Sequence, residues 1–259
     1  FSLFKINETM MSHYQALGGA WSFAMGPYWN ENLTQEVGNP AAAAIGPYED
    51  MIHYKRRFEG IPKLSISATG DEYFFPQDHH HWWDDFPEPK WLWMVPNAEH
   101  VLFPHWADSV LNVEAFWVAV LEDFELPKIT WDRYDDEESG TGVVVMHADT
   151  EPLDIRAMGA QTLPNDTRRD FRLLAVGADG EPTLHPVRWF PEDVEDLGDN
   201  SFRHVTDYVD GEWVGHFIEG TFEGPDDWNF IFSTEVNIVP DTFPVEPCTT
   251  SEECWSILV

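Results

Sequence analysis

The sequence is poor in basic residues and contains no long apolar run. It has 14 lysines and arginines against 47 aspartates and glutamates, which gives a formal net charge of -33. That charge opposes binding to nucleic acid and to anionic membrane surfaces, because both carry negative charge themselves. No stretch approaches the roughly 20 apolar residues that a membrane-spanning helix needs. We therefore expect neither a nucleic-acid partner nor insertion into a membrane.

Cysteine is also scarce, with only Cys248 and Cys254 close together near the C-terminus. This spacing suits either a small-loop disulfide or two free thiols. Asn7, Asn32 and Asn165 begin tripeptides of the N-glycosylation type, and with a disulfide these would favour a secreted or extracellular protein. The chain starts with Phe and shows no signal peptide, so we expect a processed form or a part of a longer product.

Apolar and aromatic side chains are abundant, at 43% and 15% of the 259 residues, which is enough for a substantial core. The first half combines helical spacing with two strand-like runs. From residue 128 onward, short β-type segments are separated by Gly, Pro, Asp and Asn. The predicted strands are residues 129–134, 141–147, 153–161, 170–176, 183–190, 204–209, 212–221 and 228–239. We predict two domains, residues 1–126 and residues 127–259, the second being an all-β sandwich of immunoglobulin-like size.

The most informative part of the first domain is a pair of apolar runs, residues 64–68 and 91–95, that each lead into a loop. The first loop presents Asp71 and the second presents His100. An acid followed by a histidine at the ends of neighbouring parallel strands is typical of the α/β-hydrolase triad. We therefore predict an α/β fold class, the C-terminal part of an α/β-hydrolase domain, with Asp71 and His100 catalytic and Glu72 as a substitute acid.

Both residues also have simpler structural interpretations. Asp71 would make an ordinary Asx turn at a strand end, and His100 would be a hydrogen-bonded loop residue that caps the next helix. A nucleophile is missing, because the chain contains no Gly-x-Ser-x-Gly motif. Ser22 follows Trp21 without such an elbow and is a poor candidate. The chain alone is therefore expected to be inactive.

Three consecutive histidines, His79, His80 and His81, raise the question of a metal site. On a helix their side chains point about 100° apart, so the three cannot converge on one ion. We expect a solvated or interdomain histidine face, no metal and no cofactor. Arg169 or Arg172 is expected to pair with a carboxylate across the domain junction. The neighbouring tryptophans are expected to lie mostly in the core: Trp82, Trp83, Trp91 and Trp93.

A run of apolar residues at helical spacing follows the His100 loop. Its members are Val110, Val113, Trp117, Val120, Leu121 and Phe124. Asp108 or Ser109 is expected to be the N-cap of this helix. We interpret the apolar stripe as core, on the helix that closes the sheet of an α/β-hydrolase.

Several blocks of sequence together carry a resemblance to a known family. They lie at residues 13–14, 17–23, 68–74, 83–85, 89–90, 95–100, 169–172 and 232–240. In combination these blocks resemble the PhoPQ-activated pathogenicity-related proteins. The resemblance implies an α/β-hydrolase fold followed by a β domain, and a nucleophile in a Gly-x-Ser-Lys-Arg-Gly elbow upstream of this segment. It also implies that the chain is the C-terminal part of a longer protein.

Two functions are compatible with these observations. The first is a serine hydrolase that cleaves an ester or peptide bond of a small-molecule or peptide substrate, with His100 as general base and Asp71 orienting it. The alternative is a non-catalytic secreted signalling or binding protein on a hydrolase scaffold, with a cell-surface protein as partner. An intact nucleophile elbow elsewhere in the protein would favour the first.

Overall fold

The computed structural model describes residues 4–177 and 179–259, in which strands predominate slightly over helices. The helices are α1 (Ile6–Ala16), α2 (Gly26–Asn30), α3 (Pro40–Ala43), α4 (Gly46–Glu49), α5 (His79–Trp82), α6 (Trp106–Leu121) and α7 (Ser251–Cys254). The strands are β1 (Lys63–Ala68), β2 (Lys90–Val95), β3 (Ile129–Asp136), β4 (Thr141–Ala148), β5 (Asp154–Gln161), β6 (Leu174–Val176), β7 (Pro182–Leu184), β8 (Phe190–Glu192), β9 (Glu195–Gly198), β10 (Ser201–Asp207), β11 (Val214–Glu223), β12 (Asn229–Ser233) and β13 (Asn237–Val239).

Helix α1 forms where the apolar spacing predicts it and ends before two glycines. Gly18 and Gly19 have φ of 69° and 83°, a left-handed conformation that terminates the helix with little strain. The buried Trp21 follows, and its indole N–H donates to the carbonyl of Cys254 at 2.9 Å. The start of the chain therefore packs against its C-terminal segment, where Cys248 and Cys254 form a disulfide.

Strands β1 and β2 form a parallel pair in which Lys63 lies opposite Lys90 and Ala68 opposite Val95. Because the two strands run in register, both end at the same edge of the pair. The loops that follow β1 and β2 therefore leave side by side.

The remaining strands form antiparallel sheets. One has the order β3-β4-β10-β9, another has the order β12-β11-β5-β8 with β13 also paired to β11, and β6 pairs with β7 alone. The first two sheets and α6 contribute to one apolar cluster. Its buried members are Ala115, Phe116, Ala119, Val144, Met146, Ala157, Phe202, Ile218, Phe222, Phe230 and Phe232.

The predicted fold class, part of an α/β-hydrolase followed by an immunoglobulin-like sandwich, is wrong. The described residues form several antiparallel sheets with few helices, and among their named strands only β1 and β2 pair in parallel. An α/β-hydrolase needs helices layered on a largely parallel sheet, which a two-stranded pair does not supply. The acid-then-histidine pattern indicated a local unit correctly, but it does not determine which sheet surrounds that unit.

The domain boundary near residue 126 stays a prediction. A second apolar cluster draws side chains from both sides of that point, including Trp82 and Trp83 before it and Met158 and Phe217 after it. Packing is therefore continuous between the two segments. None of the helices in the described ranges has the length and apolar character needed to cross a bilayer.

The face of helix α6 that packs against the core is not the apolar face that the sequence predicts to be buried. Trp117 and Leu121 of the apolar stripe are 62% and 65% exposed, whereas Ala115 and Ala119 are fully buried. Small side chains let the helix approach β12 closely. Asn112 secures the contact, because its amide donates to the carbonyl of Ile231 at 2.9 Å and accepts from the N–H of that residue at 3.0 Å.

The start of α6 also differs from its prediction. The helix begins at Trp106, with His105 in the N-cap position. The predicted caps Asp108 and Ser109 lie inside the first turn, where the Ser109 hydroxyl donates back to the carbonyl of His105 at 2.8 Å.

Candidate active site

The loops after β1 and β2 are tied to each other before they present their functional side chains. The hydroxyl of Thr69 accepts from the N–H of Asn97 at 3.0 Å, and the N–H of Gly70 donates to the carbonyl of Ala98 at 3.0 Å. A Cβ atom at Gly70 would lie 2.4 Å from the side chain of Leu173 and 2.9 Å from the Ala98 carbonyl oxygen. Only glycine fits this close approach.

Both loops are also anchored to the β-rich segment. The side chain of Asn97 donates to the carbonyl of Trp189 at 2.8 Å and accepts from the N–H of the same residue at 2.9 Å. The N–H of Leu173 donates to the carbonyl of Gly70 at 2.9 Å. The geometry of the candidate site therefore depends on Trp189 and Leu173, which lie 92 and 103 positions downstream of their partners Asn97 and Gly70.

The two residues that the sequence singles out are in direct contact. The Nδ1 atom of His100 lies 3.1 Å from Oδ1 and 3.0 Å from Oδ2 of Asp71. The same Oδ1 accepts from the backbone N–H groups of Tyr73 at 2.6 Å and Phe74 at 3.0 Å. This loop is an Asx turn, as the simpler interpretation expects, and the turn fixes the carboxylate that faces the imidazole.

The electrostatics of the pair favour the charged imidazole. The hydrogen bond that His100 donates to Asp71 raises the pKa of His100, and this effect outweighs burial, which acts in the opposite direction. The His100 side chain is 21% exposed and that of Asp71 6%, so the base lies nearer the surface than the acid. That arrangement suits an imidazole that takes up and releases a proton beside a fixed carboxylate.

Glu72, the substitute acid, lies on the other side of the loop. Its Oε2 accepts from the backbone N–H of His100 at 3.3 Å. Burial raises the pKa of Glu72. Glu72 thus contacts the backbone of His100, whereas Asp71 contacts the imidazole.

Sequence reasoning missed an aromatic wall beside the imidazole. The ring centroids of Tyr73 and Phe74 lie 4.6 Å and 5.5 Å from that of His100. Both residues sit in the block after Asp71, but a sequence pattern does not indicate which way two consecutive aromatic rings turn. The wall restricts the imidazole to a narrow range of orientations.

A second histidine and aspartate pair was also missed. His13 Nε2 lies 2.8 Å and 2.9 Å from the two carboxylate oxygens of Asp78, and the His13 ring stacks on Phe75 at 4.1 Å. The side chains are only 2% and 8% exposed, so the pair is almost fully buried. Its burial instead indicates a structural tie between α1 and the segment before α5.

The three consecutive histidines diverge, as their helical spacing predicts. His79 approaches the hydroxyl of Ser67 at 3.3 Å, and His80 donates to the carbonyl of Val236 at 2.6 Å. We expected a solvated or interdomain histidine face, and the solvated alternative is wrong for His79, which is 2% exposed. Its burial lowers its pKa to about 3. The contact of His80 with Val236, beyond residue 126, is compatible with the interdomain alternative. The expectation that the tryptophans lie in the core is confirmed for Trp82, Trp83 and Trp93, while Trp91 is partly buried.

The buried arginines make structural contacts. Arg172 donates from Nη2 to Asp170 at 2.6 Å and from Nη1 to the hydroxyl of Ser22 at 3.1 Å. Arg169 pairs with Asp241 at 3.2 Å. Ser22 is thus a hydrogen-bond acceptor in a buried network, which fits its low ranking as a nucleophile.

One group of side chains in the described ranges is close enough to share a cation. Ligand atoms of Asp166, Asp170 and His185 lie within 4.8 Å of one another. The guanidinium of Arg172 already neutralises Asp170, which weakens this group as a metal site. The expectation of no metal and no cofactor stays a prediction.

Comparisons with known proteins agree with the resemblance read from the sequence. A family model described as PhoPQ-activated pathogenicity-related protein matches residues 1–172. The chain is also similar to a protein of Dictyostelium discoideum named autocrine proliferation repressor protein A, with 27% identity over 255 residues. The match covers 94% of this chain and 51% of the relative, so the chain spans about half the length of that relative.

Proposed function

The chain belongs to the PhoPQ-activated pathogenicity-related protein family, and we propose that Asp71 and His100 are the acid and base of a hydrolytic site in its full-length protein. The contact of 3.0 Å between the carboxylate and the imidazole carries the proposal. The raised pKa of His100 supports it, because the imidazolium formed during proton abstraction is then stabilised. The substrate class is a small ester or a peptide bond.

The proposed reaction begins with His100 as general base. Its Nδ1–H donates to Asp71, so Nε2 is the atom that receives the proton of a nucleophilic hydroxyl. The hydroxyl oxygen bonds to the substrate carbonyl carbon. The imidazolium then gives the proton to the leaving group as the bond between the carbonyl carbon and the leaving group breaks. Water then repeats the sequence on the acyl intermediate, which releases the acid and restores the hydroxyl.

The nucleophile of this proposal is a serine hydroxyl in a part of the full-length protein beyond these 259 residues. Two facts support the assignment: the chain has no Gly-x-Ser-x-Gly motif, and it spans about half of its relative. Ser22 is set aside because its hydroxyl accepts from buried Arg172.

The test is made with the full-length protein and a small chromogenic ester. His100→Ala should lower kcat/KM by about 10²-fold to 10⁴-fold, the usual contribution of a general base. Asp71→Asn should lower kcat/KM as well, and should lower the pKa of His100 measured by NMR, because the largest cause that raises this pKa is removed.

His105→Ala is the matched control, since His105 also contacts an aspartate, Asp108, at 3.2 Å but on the exposed start of α6. It should retain wild-type turnover. If the kcat/KM of the His100→Ala protein were within about twofold of the wild-type value, His100 would not be the general base, because a general base contributes far more than that.

A second candidate function is non-catalytic signalling through a cell-surface protein partner. The similarity over most of the chain to a protein named as a proliferation repressor favours it. A disulfide between Cys248 and Cys254 fits an extracellular location, because such bonds persist in oxidising compartments. The His100→Ala protein separates the two functions: repression of cell proliferation that survives the loss of hydrolysis would support signalling.

A further inference from the structure

A groove of about 1010 Å³ opens beside the candidate dyad. Its walls come from α1, from the segments around α2 and α4, and from the aromatic residues Tyr73 and Phe74. A volume near 1000 Å³ is at the upper end of small-molecule sites. The groove is therefore large enough for an extended group rather than for a single small substituent.

The groove and the dyad share a wall. Tyr73 and Phe74 line the groove, and their rings lie 4.6 Å and 5.5 Å from the ring of His100. The backbone N–H groups of the same two residues hold the carboxylate of Asp71. A molecule in the groove thus lies one aromatic ring away from the imidazole.

The interior of the groove is largely apolar and includes two methionines. Ile6 and Met10 contribute from α1, and Met25, Tyr28 and Leu33 contribute from the segment that follows it. Methionine side chains adapt to ligands of different shape, because they are unbranched and flexible. Such a lining can therefore accommodate aliphatic or aromatic groups of different shapes.

The charges on the groove are mainly negative. Glu8, Glu36 and Glu49 line it, whereas the ammonium of Lys5 is paired with Asp85 at 2.5 Å. The remaining lining carboxylate, Asp50, accepts from the backbone N–H groups of two groove residues. Together with the net charge of -33, this field disfavours anionic ligands.

We propose that this groove binds the apolar acyl chain of a neutral ester and delivers its carbonyl group to His100. The assignment rests on the proposed hydrolytic function and adds the substrate class to it. Short esters would leave the groove empty, so esters with longer acyl chains are the better substrates. Esters that carry a carboxylate on the chain are poor substrates because of the glutamates.

Binding is tested without any hydrolysis, using the neutral fluorescent probe N-phenyl-1-naphthylamine. The probe should bind to the protein, and Leu33→Glu should raise its Kd at least tenfold. Leu184→Glu is the matched control, because Leu33 and Leu184 are 49% and 57% exposed and only Leu33 lines the groove. Absence of probe binding, or equal loss in both variants, would overturn the groove assignment.

Hydrolysis is tested separately with p-nitrophenyl octanoate and acetate on the full-length protein. Wild type should prefer octanoate, and Leu33→Glu should raise KM for octanoate at least tenfold, whereas Leu184→Glu, outside the groove, should leave that KM within about twofold of wild type. If acetate and octanoate are cleaved equally well, the groove assignment fails and the hydrolytic function stands. If the probe binds with the expected variant effects but no ester is cleaved, the hydrolytic function fails and the groove remains an apolar binding site.

Discussion

At the scale of single residues, a chain of hydrogen bonds that is buried except at Glu192 links four strands. His204 Nε2 lies 2.7 Å from Glu192, His204 Nδ1 lies 2.9 Å from Nδ1 of His216, and His216 Nε2 lies 3.3 Å from the side-chain nitrogen of Asn237. Asn237 can only donate through that nitrogen, so His216 accepts there and donates to His204, which donates to Glu192. Each imidazole is neutral in this arrangement, with its tautomer fixed.

This chain predicts that the protein loses stability in mild acid. Burial and the neighbouring His204 lower the pKa of His216 from 6.5 to about 3. Below pH 6.5 the unfolded state therefore binds a proton that the folded state does not, and the free energy of unfolding falls as pH falls. The His216 contribution is complete above pH 6.5 and decreases by about 1.4 kcal/mol per pH unit below it.

Urea denaturation at pH 6.0 and pH 5.0 tests this. His216→Gln should be less stable at pH 7 but should show a pH slope smaller than that of wild type by about 1.4 kcal/mol per pH unit. His105→Gln, at an exposed site, should keep the wild-type slope. An unchanged slope in His216→Gln would mean that the pKa of His216 is the same in the folded and unfolded states, contrary to the proposed effect of its burial.

The sequence predicts local residue pairs better than distant ones. Asp71 and His100 each follow a strand by a few positions, so parallel pairing of β1 and β2 is enough to bring them together. His13 and Asp78 meet only because α1 docks against the segment before α5, a packing choice with no signal in the intervening residues.

At the scale of elements, α6 illustrates how packing overrides an apolar pattern. Its stripe of large side chains predicts the buried face, yet the face with Asn112, Ala115 and Ala119 lies against β12. Two alanines and one amide allow close contact with the strand edge, while the large Phe116 on the same buried side packs against Trp91 at 5.4 Å. A hydrophobic pattern shows where a helix is apolar, but the shape of the partner decides which face it buries.

The orientation of α6 predicts an unusual order of mutational effects. Ala119→Leu should lower the free energy of unfolding by about 1–3 kcal/mol, because the added atoms have no room against the core. Trp117→Ala should change it by no more than about 0.5 kcal/mol, because that side chain is 62% exposed. Chemical denaturation of both variants checks this, and a larger loss from Trp117→Ala would show that the large side chains face the core.

Strand prediction succeeded where alternation is sustained and failed where it is interrupted. Long strands such as β3, β4, β5 and β11 lie within about two residues of their predicted positions. The predicted strand over residues 183–190 is instead the end of β7, an irregular stretch and the first residue of β8. The prediction missed β9, because its acidic sequence at residues 195–198 lacks an apolar face.

At the scale of the whole molecule, the net charge of -33 sets the response to salt. Like charges on a compact surface repel one another and favour expansion of the chain, and dissolved ions screen this repulsion. We expect the Tm to rise between 20 mM and 300 mM NaCl, by about 2–4 °C for each kcal/mol of repulsion removed. KCl at the same ionic strength should give the same rise, and a Tm that falls with salt would show that attractive ion pairs dominate.

The fold as a whole could not be predicted from the resemblance and the strand order alone. Among the named strands of the described residues, only β1 and β2 show the parallel arrangement expected of an α/β-hydrolase. The larger sheets are assembled from strands distant in sequence, such as β5 beside β11. Pairing of that kind depends on long-range register, which the alternation of one strand does not encode.

The two hydrogen bonds between the Asn112 side chain and the Ile231 backbone protect a strand edge that could otherwise aggregate. Strand β12 lies at the edge of its sheet, and its sequence, Asn-Phe-Ile-Phe-Ser, is apolar, aromatic and uncharged. Such an edge recruits strands from other molecules into fibril-like stacks unless its backbone groups are occupied. Asn112 occupies both groups of Ile231, so we expect that detachment of α6 would expose this edge to strands of other molecules, even while the sheets remain folded.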